Sequence, residues 1–261
     1  MITAYLFIVG AAAAAYKAAA LTAGGALTAA VIGSVIWFGL GWQGFSLLLL
    51  FFITSSLFSL LPDNKEAEEI NAGNGARRAG QVFANGGAAA VSALLYWITG
   101  SELWIAAFAG SLAAAASDTW ASEWGSRSNS RTYLFPGGQK VPAGTSGAVT
   151  VPGTAAALLG AVFIGGAAAF LFSSFFSSIY IMATAVAAAG FLGNLMDTGT
   201  GAFFQVTYRC RRCGLITEKQ MHCGNYTLKT SGWKWADNEA VNTICTVTGG
   251  GLCLLLLWLI R

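Results

Sequence analysis

The chain has 261 residues, of which 56% are hydrophobic and only 10% are charged, and its formal net charge is +3. Because soluble domains carry about a quarter charged residues, this composition excludes an ordinary soluble protein and indicates an integral membrane protein. The small positive charge lies beside helix ends and forms no continuous patch, which argues against nucleic-acid binding and favours phosphates or anionic headgroups as partners.

Eight apolar stretches approach the ~20 residues that cross the hydrocarbon core of a bilayer, which predicts an all-α, polytopic bundle of about eight transmembrane helices. The predicted spans are residues 2–22, 26–41, 45–61, 82–99, 103–117, 151–172, 176–196 and 241–260. No Lys or Arg precedes the first stretch, so we expect a retained span and not a signal peptide. The polar connections are short, so residues 1–261 are expected to form one membrane domain.

Basic residues are distributed unevenly between the two ends of the predicted helices. Almost all of the Lys and Arg residues fall in the connections after the third, fifth and seventh spans, whereas Arg261 lies on the opposite side. The positive-inside rule therefore places these connections in the cytoplasm and both termini on the other side of the membrane.

The fourth span begins with GARRAGQVFANGG (75–87). Arg77, Gln81 and Asn85 follow one another at four-residue intervals, so they share one helical face, with Arg78 beside them. A forked guanidinium and two amides at a helix N-terminus suit a phosphate group. Alternatively, the arginines anchor the helix at the membrane surface and Asn85 packs between helices.

The fifth span ends in SDTWASEWG (117–125), which carries Asp118, Thr119, Ser122 and Glu123. Carboxylates at a helix C-terminus oppose the helix dipole, so they suit a bound cation, with magnesium as the expected ion. On a straight helix Asp118 and Glu123 diverge, and one shared ion would require the helix to unwind or end between them. The alternative is a solvated helix end.

Two later segments, and the start of the last span, carry further polar groups towards the same membrane face. The connection VPAGTSGAVTVPGT (141–154) contains Thr145 and Ser146 among glycines whose backbone amides could hold an anion. MDTGTGAFFQ (196–205) contributes Asp197 and Thr200, and a carboxylate at a membrane boundary is a functional candidate.

The last span opens with DNEAVN (237–242). Asp237 or Asn238 could simply cap the helix, whereas Asn242 projects another amide into the span.

Carboxylates, arginines and hydroxyl-rich glycine loops at one membrane face are the parts that phosphoryl or nucleotidyl transfer needs. The chain has no G-x-x-x-x-G-K-[ST] motif, no kinase-type catalytic loop and no G-x-S-x-G motif, and its only histidine is His222. A P-loop fold and a triad hydrolase are therefore disfavoured. A transporter remains an alternative, but its polar groups would be expected near the bilayer midplane.

Cysteines form a separate pattern in the connection before the last span. Cys210, Cys213, His222 and Cys223 could bind a structural zinc ion, although adjacent His222 and Cys223 make an awkward ligand pair. The alternative is a set of free thiols. Cys245 and Cys253 lie within the last span and are expected to be small packing residues.

In their order along the chain, the motifs resemble those of the integral-membrane family that includes phytyl-phosphate kinase of tocopherol biosynthesis. They are GARRAGQVFANGG, SDTWASEWG, VPAGTSGAVTVPGT, MDTGTGAFFQ, YRCRRCGLITEKQMHCG and DNEAVN. The resemblance extends from about residue 15 to the end. It implies a prenyl-phosphate kinase that passes the terminal phosphate of a nucleoside triphosphate, with CTP expected, to phytyl or another polyprenyl monophosphate.

The resemblance also implies roles for individual residues. Asp118, Glu123 and Asp197 would be catalytic and would hold magnesium. The implied phosphate-binding residues are Arg77, Arg78, Gln81, Asn85, Thr119, Ser122, Thr145, Ser146, Thr200, Asp237, Asn238 and Asn242. This chain departs from the family pattern at Thr198 and Gly199, and in the order of Asp237 and Asn238. A nucleotidyltransferase acting on a lipid phosphate would use the same parts.

Overall fold

The computed structural model describes residues 2–59, 65–71, 75–128 and 130–260. The last two residues of the predicted third span and Arg261 lie outside these ranges. The described helices are α1 (Ile2–Lys17), α2 (Ala23–Ser59), α3 (Lys65–Ile70), α4 (Ala79–Thr99), α5 (Leu103–Arg127), α6 (Val151–Leu171), α7 (Ile179–Phe203) and α8 (Asn238–Ile260). The predicted all-α, polytopic bundle is confirmed.

Five of these helices, α2, α4, α6, α7 and α8, are long and apolar enough to span a membrane, and α1 is a shorter apolar helix of 16 residues. Seven short strands lie in the connections: β1 (Tyr133–Leu134), β2 (Ala148–Val149), β3 (Thr207–Arg209), β4 (Ile216–Thr217), β5 (Met221–His222), β6 (Asn225–Tyr226) and β7 (Leu228–Ser231). All pairings are antiparallel, and β3 lies between β4 and β7. None of these strands was predicted from the sequence.

Helix α2 is a hairpin of two helical arms, residues 23–40 and 42–59, which reverse direction at Gly41 (φ 63°, ψ −152°). A straight helix of 37 residues would separate its ends by about 55 Å. Instead, both ends meet Arg77: the Thr22 N–H donates to its carbonyl (3.1 Å), and the guanidinium donates to Ser56 Oγ (3.1 Å). The two arms therefore correspond to the predicted second and third spans.

Helix α5 forms the centre of the bundle. It packs against α4, α6, α7 and α8, and each residue from Ile105 to Ser117 is buried. Its small residues allow close approach: a Cβ added at Gly110 would lie 2.5 Å from Gly249 O in α8. Alanine and glycine thus replace bulky side chains at the helix contacts, as is common where lipid gives helices little hydrophobic drive to associate.

Four connections meet at one end of the bundle: those between α1 and α2, α3 and α4, α5 and α6, and α7 and α8. Two helices run further into this end than their apolar stretches indicate, since α5 continues to Arg127 and α7 to Phe203. The polar residues at the ends of the predicted fifth and seventh spans are therefore helical. Their spacing follows the helical repeat, which determines how they face one another.

Candidate functional site: a polar cavity at one end of the bundle

A cavity of about 600 Å³ opens where the four connections converge. It collects most of the residues that the sequence marked as functional. Those that line it are Arg77, Gln81, Asn85, Asp118, Thr119, Ser122, Glu123, Thr145, Ser146, Asp197, Asn238 and Asn242. Residues from five separate motifs are thus brought to one place.

Three predicted site residues do not line this cavity. The side chain of Arg78 is 62% exposed and lies 4.0 Å from Glu239. Thr200 is buried within α7. Asp237 accepts a hydrogen bond from the Ala240 N–H (2.9 Å), so it caps the N-terminus of α8, as the capping alternative predicts.

Asp118 and Asp197 lie side by side in half-buried positions, with their side chains in hydrogen-bond contact. Helix packing explains the pairing. A Cβ added at Gly193 would lie 2.7 Å from Ala114 Cβ, and Asp197 and Asp118 each follow one turn later on α7 and α5. Both helices run towards the cavity, so advancing one turn along each brings the carboxyl groups together.

The carboxyl pair has an unfilled acceptor. Within the part of the chain that the structure describes, Asp197 Oδ1 is a buried oxygen without a hydrogen-bond partner. Two adjacent carboxylates repel when both are ionised, so the pair needs either a shared proton or a bound cation. Oxygen donors of this kind are the preferred ligands of magnesium.

Glu123 is placed differently from the other two predicted metal ligands. Helix α5 is continuous through Arg127, so Glu123 lies ~140° around the axis from Asp118 and ~7.5 Å further along it. Its carboxylate forms a salt bridge with Arg127 and accepts a hydrogen bond from Ser59. Asp118 and Glu123 were expected to share one ion only if the helix unwound or ended between them. It does neither, so the two carboxylates point in different directions.

Arg77 is fixed by both its backbone and its side chain. Its N–H donates to Ala20 O (2.9 Å), its carbonyl accepts from Thr22, and its guanidinium reaches Ser56 Oγ. A Cβ added at Gly25 would lie 2.2 Å from the Arg77 carbonyl, which explains why glycine occupies that position. Burial lowers the pKa of the Arg77 guanidinium from its usual value, and the charge of Glu123 opposes this shift.

Amide side chains line part of the cavity wall. Asn85, Asn238 and Asn242 were predicted there, and Asn194 of α7 joins them. Gln81 also contributes to the wall, but its Oε1 accepts a hydrogen bond from the Arg78 N–H (2.9 Å) and thereby caps α4. The arrangement supplies neutral donors and acceptors beside the carboxyl pair.

Sequence reasoning missed Glu218 and Gln205, which form another part of the wall. Glu218 Oε1 accepts hydrogen bonds from Ser146 Oγ (2.6 Å) and Gln205 Nε2 (2.9 Å). One signal could have revealed Glu218, since it is the only acidic residue between Asp197 and Asp237 and lies in a strongly basic segment. Gln205 has no comparable signal.

An apolar groove adjoins the polar cavity between α1, α2 and α4. Its walls include Ile8, Ala11, Ile32 and Phe45. Arg77 and Asn85 line both the groove and the cavity, so they stand at the junction between them. The site as a whole therefore joins a large polar cavity to a small apolar groove of about 80 Å³.

The four predicted zinc ligands converge outside the cavity. The ligand atoms of Cys210, Cys213, His222 and Cys223 all lie within 4.8 Å of one another. Among the described residues, this is the cluster in which three or more His, Cys, Asp or Glu side chains lie close enough to hold one metal ion. Hydrogen bonds from the Cys213 backbone and the His222 side chain lower the pKa of Cys210 to about 6, whereas burial raises that of Cys223 to about 11.

The fold and site define a polytopic membrane protein with a carboxylate-bearing polar cavity at one end of its helices. Sequence comparison makes this more specific: residues 6–250 match the family described as integral membrane protein DUF92, and the chain belongs to that family. The resemblance found in the motifs is thereby confirmed.

Curated relatives align along most of the chain. An uncharacterized membrane protein of Methanocaldococcus jannaschii is 31% identical over 89% of this chain and 84% of its own length. Protein VTE6, chloroplastic, of Arabidopsis thaliana is 28% identical over 90% of this chain and 65% of its own length. Protein PGR of the same plant is 29% identical over 88% of this chain and 86% of its own length. No solved structure gives a significant match.

Proposed function

We propose that this protein transfers the terminal phosphate of a nucleoside triphosphate, with CTP as the expected donor, to phytyl or another polyprenyl monophosphate, forming the prenyl diphosphate. The observation that carries the proposal is the position of Arg77 at the junction of the polar cavity and the apolar groove. A prenyl phosphate matches both surfaces in chemistry, because its phosphate can pair with the guanidinium while the first part of its tail enters the groove.

The carboxyl pair supports magnesium dependence. Asp118 and Asp197 supply adjacent oxygens, and Asp197 Oδ1 lacks a hydrogen-bond partner among the described residues. This donor set fits magnesium, which would neutralise part of the charge of the phosphate groups when bound. Glu123, the third predicted ligand, is held by Arg127, so we assign the ion to the other two carboxylates.

The reaction needs no general base. A phosphate monoester has a second pKa near ~6 and is largely ionised at neutral pH. One of its oxygens attacks the terminal phosphorus, a new P–O bond forms, and the bond to the bridging oxygen breaks. The electron pair leaves on the nucleoside diphosphate, and no proton needs to move.

Positioning is the main task of the protein in this scheme. Arg77 binds and neutralises the acceptor phosphate, since its backbone and guanidinium are both held in place. Asn85 donates at the junction with the groove, and Asn194 and Asn242 also line the cavity. Fixed donors around a transferring phosphoryl group supply most of the catalysis in reactions of this type.

We assign the cavity end of the bundle to the cytoplasm and both termini to the opposite side. The connections at this end carry almost all of the basic residues, as the positive-inside rule requires. A water-soluble nucleotide would then enter from the cytoplasm while the prenyl chain stays within the membrane.

The first test incubates the purified protein in detergent with magnesium, phytyl or geranylgeranyl monophosphate and each of the four nucleoside triphosphates, and identifies the lipid products by mass. The expected product is the prenyl diphosphate together with a nucleoside diphosphate. Asp118→Asn should abolish transfer while the protein elutes and melts as a folded species. No product with any donor, or normal turnover by Asp118→Asn, would overturn the proposal.

Two alternatives give different results in the same assay. A nucleotidyltransferase would release pyrophosphate and leave a nucleotide on the lipid, which changes the mass of the product. A transporter would form no product, and its polar site would be expected near the bilayer midplane. The cavity instead lies at one end of the helices, which favours an enzyme acting at the membrane surface.

The apolar groove allows a separate test of where the tail binds. Ala11→Leu adds volume inside the groove, whereas Ala13→Leu adds the same volume at an exposed position of α1 outside it. Because overfilling a packed apolar site costs about 1–3 kcal/mol, we expect Ala11→Leu to raise the KM for a long prenyl acceptor by about tenfold. The KM for the nucleotide should not change. Equal effects of the two variants would place the tail elsewhere.

A further inference from the structure

The segment from Thr207 to Ser231 lacks a hydrophobic core of its own. It contains five strands of two to four residues. Between residues 207 and 235, the buried side chains are those of Cys210 and Thr217. Segments of this size that cannot bury an apolar core usually need a disulfide or a metal ion to hold them together.

Two turns of this segment bring four ligand groups together. In the first, the Gly214 N–H donates to Cys210 O (3.0 Å), and the Arg212 N–H donates to Cys210 Sγ (3.4 Å). In the second, β5 and β6 form a hairpin that carries His222 and Cys223. Each turn supplies two ligands, and N–H groups directed at a ligand sulfur are a usual outer-shell feature of thiolate metal sites.

The backbone conformation of Cys223 resolves the difficulty of two adjacent ligands. Cys223 has φ +51° and the following Gly224 has φ +74°, as in a tight hairpin turn with two left-handed residues. Asn or Gly is the usual residue at such a position, so a cysteine there is unexpected. The turn directs both side chains inward: His222 Nδ1 lies 3.3 Å from Cys223 Sγ and 3.5 Å from Cys213 Sγ.

We propose that Cys210, Cys213, His222 and Cys223 bind one structural zinc ion, which fixes the conformation of the 207–231 segment and thereby holds Glu218 at the wall of the polar cavity. Three thiolates and one imidazole form a usual closed zinc site. In a tetrahedral site with Zn–S distances of about 2.3 Å, ligand atoms lie about 3.8 Å apart, which agrees with a cluster contained within 4.8 Å.

The stretch of chain from Cys213 to Glu218 connects the cysteine cluster to the cavity. Glu218 lies five residues after Cys213, and its N–H donates to Ile70 O of α3 (3.0 Å). The neighbouring Thr217 is 1% exposed, and its Oγ1 donates to the same carbonyl (2.8 Å). The Glu218 carboxylate then reaches Ser146 and Gln205 at the cavity wall. A metal that fixes this segment therefore fixes one wall of the site.

Metal analysis of the purified protein tests the binding step independently of any enzymatic activity. We expect one zinc per chain, released when a mercurial modifies the thiols and detected with a chelating dye. Substitution by Co(II) should give the visible absorption bands of a tetrahedral thiolate site. Cys213→Ser should lose the zinc, whereas Cys253→Ala, which removes a buried thiol of α8, should retain it. Zinc content that is equally low in the unsubstituted protein, Cys213→Ser and Cys253→Ala would overturn the proposal. A Cys213–Cys223 disulfide in freshly purified protein would overturn it as well.

Limited proteolysis tests the structural role and can be done on the unmodified chain if Cys213→Ser fails to fold. Trypsin sites at Arg209, Arg211, Arg212, Lys219 and Lys229 lie within the segment. Removal of zinc by a chelator should make them markedly more susceptible, and added zinc should reverse the effect. Unchanged cleavage after complete zinc removal would refute the fixing role.

Glu218→Gln separates this proposal from the proposed kinase function. The substitution leaves all four ligands in place, so zinc content and protease resistance should remain normal. If the unsubstituted protein binds zinc but forms no prenyl diphosphate, the kinase proposal fails while the zinc proposal stands. If it forms the diphosphate but contains no zinc, the reverse holds.

Discussion

Gly147 lies where the connection between α5 and α6 crosses α7, and replacing it tests how the cavity wall is built. Its φ is +71°, and an added Cβ would lie 2.3 Å from Ala202 N and 2.5 Å from Ala202 Cβ. A left-handed alanine costs about 1 kcal/mol, and overpacking against backbone costs about 1–3 kcal/mol more. We therefore expect Gly147→Ala to lower the free energy of unfolding by about 2–4 kcal/mol.

Two glycines of the same connection separate these contributions. Gly138 has φ +65° but would meet no atom within 4 Å, so Gly138→Ala should cost only about 1 kcal/mol. Gly137 has neither a positive φ nor a close neighbour, so Gly137→Ala should remain within about ±0.5 kcal/mol. The measurement is SDS-induced unfolding in mixed micelles, followed by circular dichroism. If Gly147→Ala is no more destabilising than Gly138→Ala, the connection does not pack on α7 as the structure shows.

Three further substitutions test single interactions. Asp197→Asn should abolish transfer yet leave stability in magnesium-free buffer within about 1 kcal/mol of the wild-type value, because an amide can keep the hydrogen-bond contact with Asp118; a larger loss on thermal unfolding would contradict this. Ser117→Ala removes the buried hydrogen bond from α5 to Ala157 O (2.9 Å) and should cost about 1 kcal/mol, measured by SDS unfolding. Thr150→Ala removes the side-chain cap of α6 and should also cost about 1 kcal/mol; no change would mean that water caps the helix equally well.

The sequence predicted the helices well because hydropathy and length are strong signals in membrane proteins. The ends of the helices were predicted less well. The apolar stretch of the fifth span ends at residue 117, but α5 continues to Arg127, since a helix needs its backbone hydrogen bonds and not apolar side chains. Similarly, the sequence left three residues between the second and third spans, whereas the chain reverses at Gly41 alone.

Two kinds of feature were outside the reach of sequence reasoning. The polar helix α3 (KEAEEI) has no apolar periodicity, and the short strands form around turns whose pairing depends on distant segments. The division of the acidic residues also required the structure. Three carboxylates near one membrane face suggested one magnesium site. The packing of α7 on α5 pairs Asp118 with Asp197, whereas the continuation of α5 to Arg127 pairs Glu123 with that residue, four positions later.

Close packing of small residues and the chemistry of the cavity have the same origin. Gly193 fits against Ala114 at a distance that no larger residue would permit, and this contact brings α5 and α7 together one turn before their carboxylates. A wider helix separation would allow water to solvate Asp118 and Asp197 separately. At the observed separation they share one partly buried environment, and both cannot be ionised there without a compensating charge. The glycine and alanine contacts that hold the bundle together therefore also place two carboxyl groups where they need a shared proton or a bound cation.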